Sequence, residues 1–216
     1  MTATLVKICG LKTEAALDAA LDGGADFVGF VFFPPSPRSI APEAAALLAA
    51  RARGRAKIVA LMVDPDDELI ENVIGAVGPD LLQLHGDETP ARVRAIRQRF
   101  GVDVVKAIKV RATEDVVEAA RYDGAADLVL FDARPPEGAD RPGGHGMTFD
   151  WGILQGATHP YMLSGGLTPD NVAEAIRSTS ARMVDVSSGV ERAPGEKDTG
   201  LIRRFLAAAK GAKQGA

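Results

Sequence analysis

The run Leu5-Val6-Lys7-Ile8-Cys9-Gly10, the Ala-rich stretch at 14–22 and the second run Phe27-Val28-Gly29-Phe30-Val31-Phe32 together set the pattern of the whole chain. Each outer run is short, apolar on both faces and rich in strand-forming residues, and the stretch between them has helical spacing. Strands of that kind, separated by helices, belong to a parallel sheet. The alternation persists to the end of the chain. With 5–9 and 27–32, strands are predicted at 57–63, 81–85, 104–110, 128–132, 161–164 and 183–187. Helices are predicted at 14–22, 42–52, 67–77, 90–100, 114–122, 170–178 and 201–210, several announced by Thr, Asp or Pro. After the sixth strand come a Pro- and Gly-rich loop at 134–147 and only a short helical segment at 150–155. Eight such units in 216 residues imply a (β/α)8 TIM barrel, one catalytic domain over 1–216, with the helix after strand six short or irregular. An open doubly wound sheet is the alternative.

Composition narrows the function. Cys9 is the single cysteine, so no internal disulfide forms and a reducing, cytoplasmic setting is expected. The first four residues run into an apolar stretch bearing Lys7, unlike a secretory signal, and no apolar run approaches membrane length, so no membrane partner is expected. A formal net charge of -4 argues against general nucleic-acid binding.

In a barrel, chemistry collects where strands end. Here those ends carry Cys9-Gly10, Ser36-Pro37-Arg38, Asp64, His85-Gly86, Asp132, Gly143-Gly144-His145-Gly146, Ser164-Gly165-Gly166 and Ser187-Ser188-Gly189. The Gly/Ser clusters after strands seven and eight, with Gly165, Gly166, Ser187, Ser188 and Gly189, sit where barrels hold a phosphate on bare backbone N–H groups. Ordinary tight turns are the bland reading. Side chains alternate along a strand, so if Cys9 faces the axis then Lys7 does too, and Asp185 accompanies Ser187. Lys7 and Asp185 should therefore pair beneath the site, and the lysine charge should lower the thiol pKa. Asp132, over Leu128 and Leu130, should be a buried carboxyl that keeps a proton near neutral pH. Taken singly, a structural cysteine and a helix-capping Asp explain these two residues equally well.

Lys7-Ile8-Cys9-Gly10-Leu11, Gly29-Phe30-Val31-Phe32 with Ser36-Pro37-Arg38, Gln83-Leu84-His85-Gly86-Asp87-Glu88 and Val184-Asp185-Val186-Ser187-Ser188-Gly189-Val190-Glu191 resemble, in order, the phosphoribosylanthranilate isomerase family. Phe149-Asp150-Trp151 and Pro194-Gly195-Glu196-Lys197-Asp198 extend the likeness over nearly the whole chain. The resemblance implies a barrel catalysing an Amadori rearrangement of N-(5-phosphoribosyl)anthranilate, the third step of tryptophan biosynthesis from anthranilate. It implies Asp132 as general acid, Cys9 as general base, and neither metal nor organic cofactor. Arg38 would take the anthranilate carboxylate, with Phe30 and Phe32 offering apolar surface for the ring. Lys7, His85 and Asp185 would contact substrate or support those that do. His85 would hydrogen-bond the substrate or Asp132, or pack at the barrel mouth for structural reasons alone.

Two departures stand out. His145 lies where the family more often shows Thr, beside Gly144, whose amide is a further phosphate candidate. Ala60-Leu61-Met62-Val63-Asp64 lacks the usual aromatic and terminal Asn. Competing readings are another phosphosugar barrel enzyme, such as a metal-dependent epimerase or a lysine-dependent indole-glycerol-phosphate synthase, and a non-catalytic phosphosugar sensor. A small phosphosugar is the expected partner and a monomer the expected state, with a homodimer as the alternative.

Overall fold

A computed structural model describes residues 4–133, 148–157 and 160–212. Eight parallel strands close into a barrel in chain order: β1 (Leu5–Cys9), β2 (Phe27–Val31), β3 (Lys57–Met62), β4 (Leu81–Leu84), β5 (Asp103–Val110), β6 (Leu128–Ala133), β7 (Tyr161–Leu163) and β8 (Met183–Val186). The ring shuts where β8 pairs with β1, Asp185 opposite Lys7. The barrel reading holds and the open sheet is excluded.

The described helices are α1 (Glu14–Asp22), α2 (Pro42–Ala52), α3 (Asp67–Val77), α4 (Pro90–Phe100), α5 (Thr113–Glu118), α6 (Val172–Thr179) and α7 (Thr199–Gly211). Local chemistry fixes their starts. Thr13, Asp66, Thr89 and Asp198 each accept a backbone N–H from the first turn, and Pro42 and Pro90 occupy first positions where no donor is needed. Between β6 and β7 a 3-10 turn at Trp151–Gly156 replaces a full helix, as the sparse pattern there predicts.

Two helices and one added hairpin differ from the sequence reading for identifiable reasons. The helix predicted at 114–122 tightens after Glu118 into a 3-10 turn, where the Tyr122 hydroxyl donates to the Glu88 carbonyl at 2.9 Å. The helix predicted from 170 starts at Val172, because Asn171 accepts from Thr168 N at 2.7 Å and donates to the Gly166 carbonyl at 3.1 Å, holding the preceding turn. A hairpin unforeseen in the sequence, β9 (Glu191–Ala193) and β10 (Glu196–Lys197), follows β8.

Two apolar layers result. Phe27, Val59, Leu81, Val105, Ala107, Leu130 and Met162 fill the barrel interior, while alternate residues such as Val6, Ile8, Val28, Phe30 and Val184 pack outward against the helices. Phe30 and Phe32 both lie in that outer layer. They cannot flank a ligand at the mouth, which corrects the expectation that they face a substrate ring; Val31 and Phe33 share the inward cluster with Cys9 instead. Among the described residues, no helix is long and apolar enough to cross a membrane.

Candidate active site

Inward parity places Lys7 and Cys9 on one side of β1, against Phe27 and Gly29 of β2. Gly29 leaves room for the sulfur: a Cβ there would sit 3.0 Å from Cys9 Sγ. Below the thiol, Lys7 Nζ donates to Asp185 Oδ1 at 2.9 Å, and Ser164 Oγ donates to Asp185 Oδ2 at 3.0 Å, so the expected pair is present and gains a third member from β7's end. Burial works against the Lys7 cation, but Asp185 and Cys9 together outweigh it and hold the Lys7 pKa above its ordinary value.

The thiol behaves differently from the sequence expectation. Burial pushes the Cys9 pKa up, and the opposing pull of Lys7 does not reverse it. Cys9 is only 3% exposed, so desolvation of a thiolate outweighs a neighbouring charge that is itself paired with Asp185.

Asp132 is the penultimate residue of β6, three strands from β1 by way of β8 and β7. Its Oδ2 lies 3.1 Å from His85 Nε2, and His85 Nδ1 lies 2.9 Å from Gln83 Nε2. An amide N–H directed at Nδ1 requires a lone pair there, which assigns the imidazole proton to Nε2 and makes His85 a donor to the Asp132 side chain. All three side chains are buried. On the outer face of the sheet, Lys106 Nζ donates to Gly86 O at 2.8 Å and to Glu88 Oε2 at 2.7 Å, while Glu88 Oε1 accepts from Gly86 N at 3.0 Å, clamping the backbone beside His85.

Arg38 reaches the same mouth but is already engaged. Its Nε and Nη2 each donate to Glu191 at 2.8 Å, so the fork expected to meet a ligand carboxylate side-on is filled by a protein carboxylate. Glu191 Oε1 also accepts from Lys197 Nζ at 2.7 Å. Burial disfavours the Glu191 carboxylate, but hydrogen bonds and charge from Arg38 and Lys197 prevail and hold its pKa below the usual range.

At the ends of β7 and β8, Gly165 and Gly166 adopt left-handed φ angles of 88° and 63°, and neither N–H donates to another described residue. Ser188–Val190 forms a 3-10 turn, with Gly189 so close to the preceding loop that a Cβ would lie 1.8 Å from Leu167 O. Ser187 is committed otherwise: its hydroxyl donates to Cys9 O at 3.3 Å and its carbonyl accepts from Lys197 at 2.8 Å. Gly144, His145 and the 134–147 loop lie outside the described residues.

Sequence reasoning gave Gln83, Glu191 and Lys197 no role in the site, and placed Ser164 at a strand end without its bond to Asp185. Gln83 and Ser164 were legible in principle: Gln83 shares the parity of His85, and Ser164 stands at a strand end. Glu191 and Lys197 come together through a hairpin whose signal was the Pro194-Gly195 pair.

The arrangement offers a thiol and a carboxyl on different strands of one barrel mouth, a glycine-lined corner, and a buried Lys7–Asp185 pair below the thiol. A family model described as N-(5'phosphoribosyl)anthranilate (PRA) isomerase matches residues 6–208. A protein from Bradyrhizobium sp. strain BTAi1 named N-(5'-phosphoribosyl)anthranilate isomerase is 57% identical over 97% of both chains. The crystal structure of phosphoribosyl anthranilate isomerase from Thermotoga maritima superposes with a TM-score of 0.85 at 36% identity, covering 96% of this chain and 99% of that one. A further crystal structure of such an isomerase, in complex with reduced 1-(o-carboxyphenylamino)-1-deoxyribulose 5-phosphate, gives a TM-score of 0.84 at 34% identity over 96% and 99% of the two chains. Strand order, strand-end residues and similarity along almost the whole length agree, and the chain belongs to the N-(5'-phosphoribosyl)anthranilate isomerase family.

Proposed function

We propose that Asp132 and Cys9 carry the acid and base steps by which this chain converts N-(5-phosphoribosyl)anthranilate to 1-(2-carboxyphenylamino)-1-deoxyribulose 5-phosphate in tryptophan biosynthesis. The observation carrying this reading is the pairing of Asp132 Oδ2 with His85 Nε2 at 3.1 Å, within a mouth that also presents Cys9.

Asp132, in its acid form, protonates the furanose ring oxygen, and the C1–O bond breaks to leave an iminium on the anthranilate nitrogen. The resulting carboxylate receives the His85 N–H, a bond that strengthens as negative charge develops. The iminium acidifies C2. Cys9, as thiolate, removes that proton, and the enolamine tautomerises to the ketone. The substrate's own nitrogen is the electron sink, so the chain has to place one acid, one base and two anion sites.

For the phosphate, the N–H groups of Gly165 and Gly166 and the turn at Ser188 and Gly189 offer a backbone cradle, with Gly144 as the candidate from the 134–147 loop. For the carboxylate, Arg38 is the candidate cation. Lys7 and Asp185 form the floor. The small phosphosugar is the partner, and a cytoplasmic location suits the lone thiol.

The test is consumption of fluorescent phosphoribosylanthranilate by the purified chain without added metal. Cys9→Ser and Asp132→Asn should each slow turnover by at least about 100-fold. Unchanged turnover in either variant removes that residue from the mechanism.

A further inference from the structure

We propose that Lys106 and Glu88 are positioning residues for His85: from the helix side of the barrel wall, their ion pair pins the peptide groups before and after His85 and so keeps its imidazole on Asp132. This rests on the reading of Asp132 as the general acid, with His85 as its partner.

The pair is aimed at backbone. Lys106 stands opposite Leu84 in the β4–β5 register, and Leu84 packs against the helices, so the Lys106 side chain leaves the barrel wall on its outer face. There Lys106 Nζ donates to Glu88 Oε2 at 2.7 Å, to Gly86 O at 2.8 Å and, at a longer 3.4 Å, to Leu84 O. Glu88 Oε1 accepts from Gly86 N at 3.0 Å and from Asp64 N at 2.9 Å. Leu84 O belongs to the peptide group before His85, and Gly86 N to the one after it. His85 N itself donates to Met62 O at 2.9 Å. With both peptide planes held, the two backbone rotations of His85 are held, and with them the direction in which its side chain leaves the strand.

The surroundings of the pair are dry and reach into the neighbouring loop. Both side chains are 2% exposed, so water barely screens the bonds they make. Tyr122 closes the cluster, its hydroxyl donating to Glu88 O at 2.9 Å and its ring centre lying 5.8 Å from Lys106 Nζ. From the loop after β3, Asp64 Oδ1 accepts from Asp87 N at 2.8 Å, and a Cβ at Gly86 would come within 2.3 Å of that same oxygen. The segment 84–88 is thus gripped from β5 and from the β3 loop on one side, while on the inner side His85 meets Gln83 and Asp132.

A buried ion pair is a poor source of stability, because the cost of taking two charges out of water offsets their attraction. What this pair supplies is orientation. A 1 Å misplacement of a group in an active site can cost roughly 100-fold in rate, and His85 reaches the acid through a single N–H. Loosening its backbone should therefore slow turnover while leaving KM nearly as it was, since the proposed phosphate and carboxylate contacts are made elsewhere on the rim.

A double-mutant cycle tests this with phosphoribosylanthranilate as substrate, using Lys106→Met, His85→Asn and the two combined. Lys106→Met should lower kcat about tenfold with KM within about threefold, yet lower kcat less than about twofold in the His85→Asn background, where the residue it positions is already gone. In nitrogen-15 spectra of Lys106→Met, the contrast between a bare Nδ1 and a protonated Nε2 at His85 should shrink. If Lys106→Met does not fold, Lys106→Met combined with Glu88→Gln, which strands no charge, runs the same cycle. Losses that multiply in the two backgrounds, an unchanged kcat, or an unchanged His85 spectrum in the folded variant each overturn the proposal. A His85→Asn enzyme as fast as the wild type defeats instead the reading of His85 as the partner of the acid.

Discussion

Lys7 Nζ stands 2.9 Å from Asp185 Oδ1, although the two residues are 178 positions apart in the chain. They are opposite each other in the seam that closes the barrel, and both are almost fully buried. Removing one partner leaves an uncompensated charge in the interior, a loss of roughly 3–5 kcal/mol. Lys7→Met should be destabilised by that amount in urea unfolding. Adding Asp185→Leu should recover most of it, since a packed apolar pair tolerates burial better than a single charge. A double variant as unstable as the lysine variant alone would show that charge balance does not hold the seam.

The thiol at the mouth has a defined pH dependence. Burial, with a smaller contribution from Asp185, raises the Cys9 pKa, while Lys7 and Lys197 pull it down. A group raised in this way stays protonated at neutral pH, and its thiolate forms only as pH climbs past the ordinary thiol range. In the free enzyme the thiolate fraction should therefore keep rising with pH through that range. Replacing Lys7 by Met should move the thiol higher still. Thiolate absorbance, corrected with Cys9→Ser, reports this directly because the chain has one cysteine. A midpoint below that of the unfolded chain would contradict the account.

His85 should carry its proton on Nε2. Gln83 donates to Nδ1 at 2.9 Å, while Gln83 Oε1 is buried without a partner among the described residues. Turning the amide over would put two N–H groups in that unpartnered place, so the donating orientation is favoured. Nitrogen-15 spectra of the imidazoles, with His85 assigned among the three histidines by His85→Asn, should show a bare Nδ1. Gln83→Leu should lower kcat about tenfold with little change in KM, as expected when the acid's partner is misplaced. A proton found on Nδ1 in the wild type would reverse the donor assignment.

How much of this was legible before coordinates depended on the range of the forces involved. The ends of α1, α2, α3 and α4 follow from caps and prolines within a few residues of each boundary, and the sequence reading placed them correctly. Period-two alternation placed Lys7 beside Asp185 once closure was assumed. The same rule, applied to β2 with Cys9 inward, turns Phe30 and Phe32 outward; the expectation that they face a ligand failed because parity was not carried across the Cys9–Gly29 register. The Arg38–Glu191 clamp was not legible, since it joins residues 153 positions apart through a short hairpin with no hydrophobic period of its own. The direction of the Cys9 shift depended on whether burial or the Lys7 charge prevails, which required the burial itself.

Two glycines should respond in opposite senses to the same substitution. At Gly189 an added Cβ would lie 1.8 Å from Leu167 O, a backbone atom that cannot move without shifting the loop that carries Gly165 and Gly166. Gly189→Ala should therefore spread the proposed phosphate cradle, raising KM for the phosphosugar and the inhibition constant for inorganic phosphate by roughly tenfold each. At Gly75, on an exposed face of α3, nothing lies within 4 Å of the new methyl group. Gly75→Ala should leave kinetics unchanged and stabilise the fold by about 0.5–1 kcal/mol, because alanine loses less backbone entropy in a helix. Phosphate inhibition measured on both variants separates the cases: if Gly189→Ala binds phosphate as the wild type does, the anion sits elsewhere on the barrel rim.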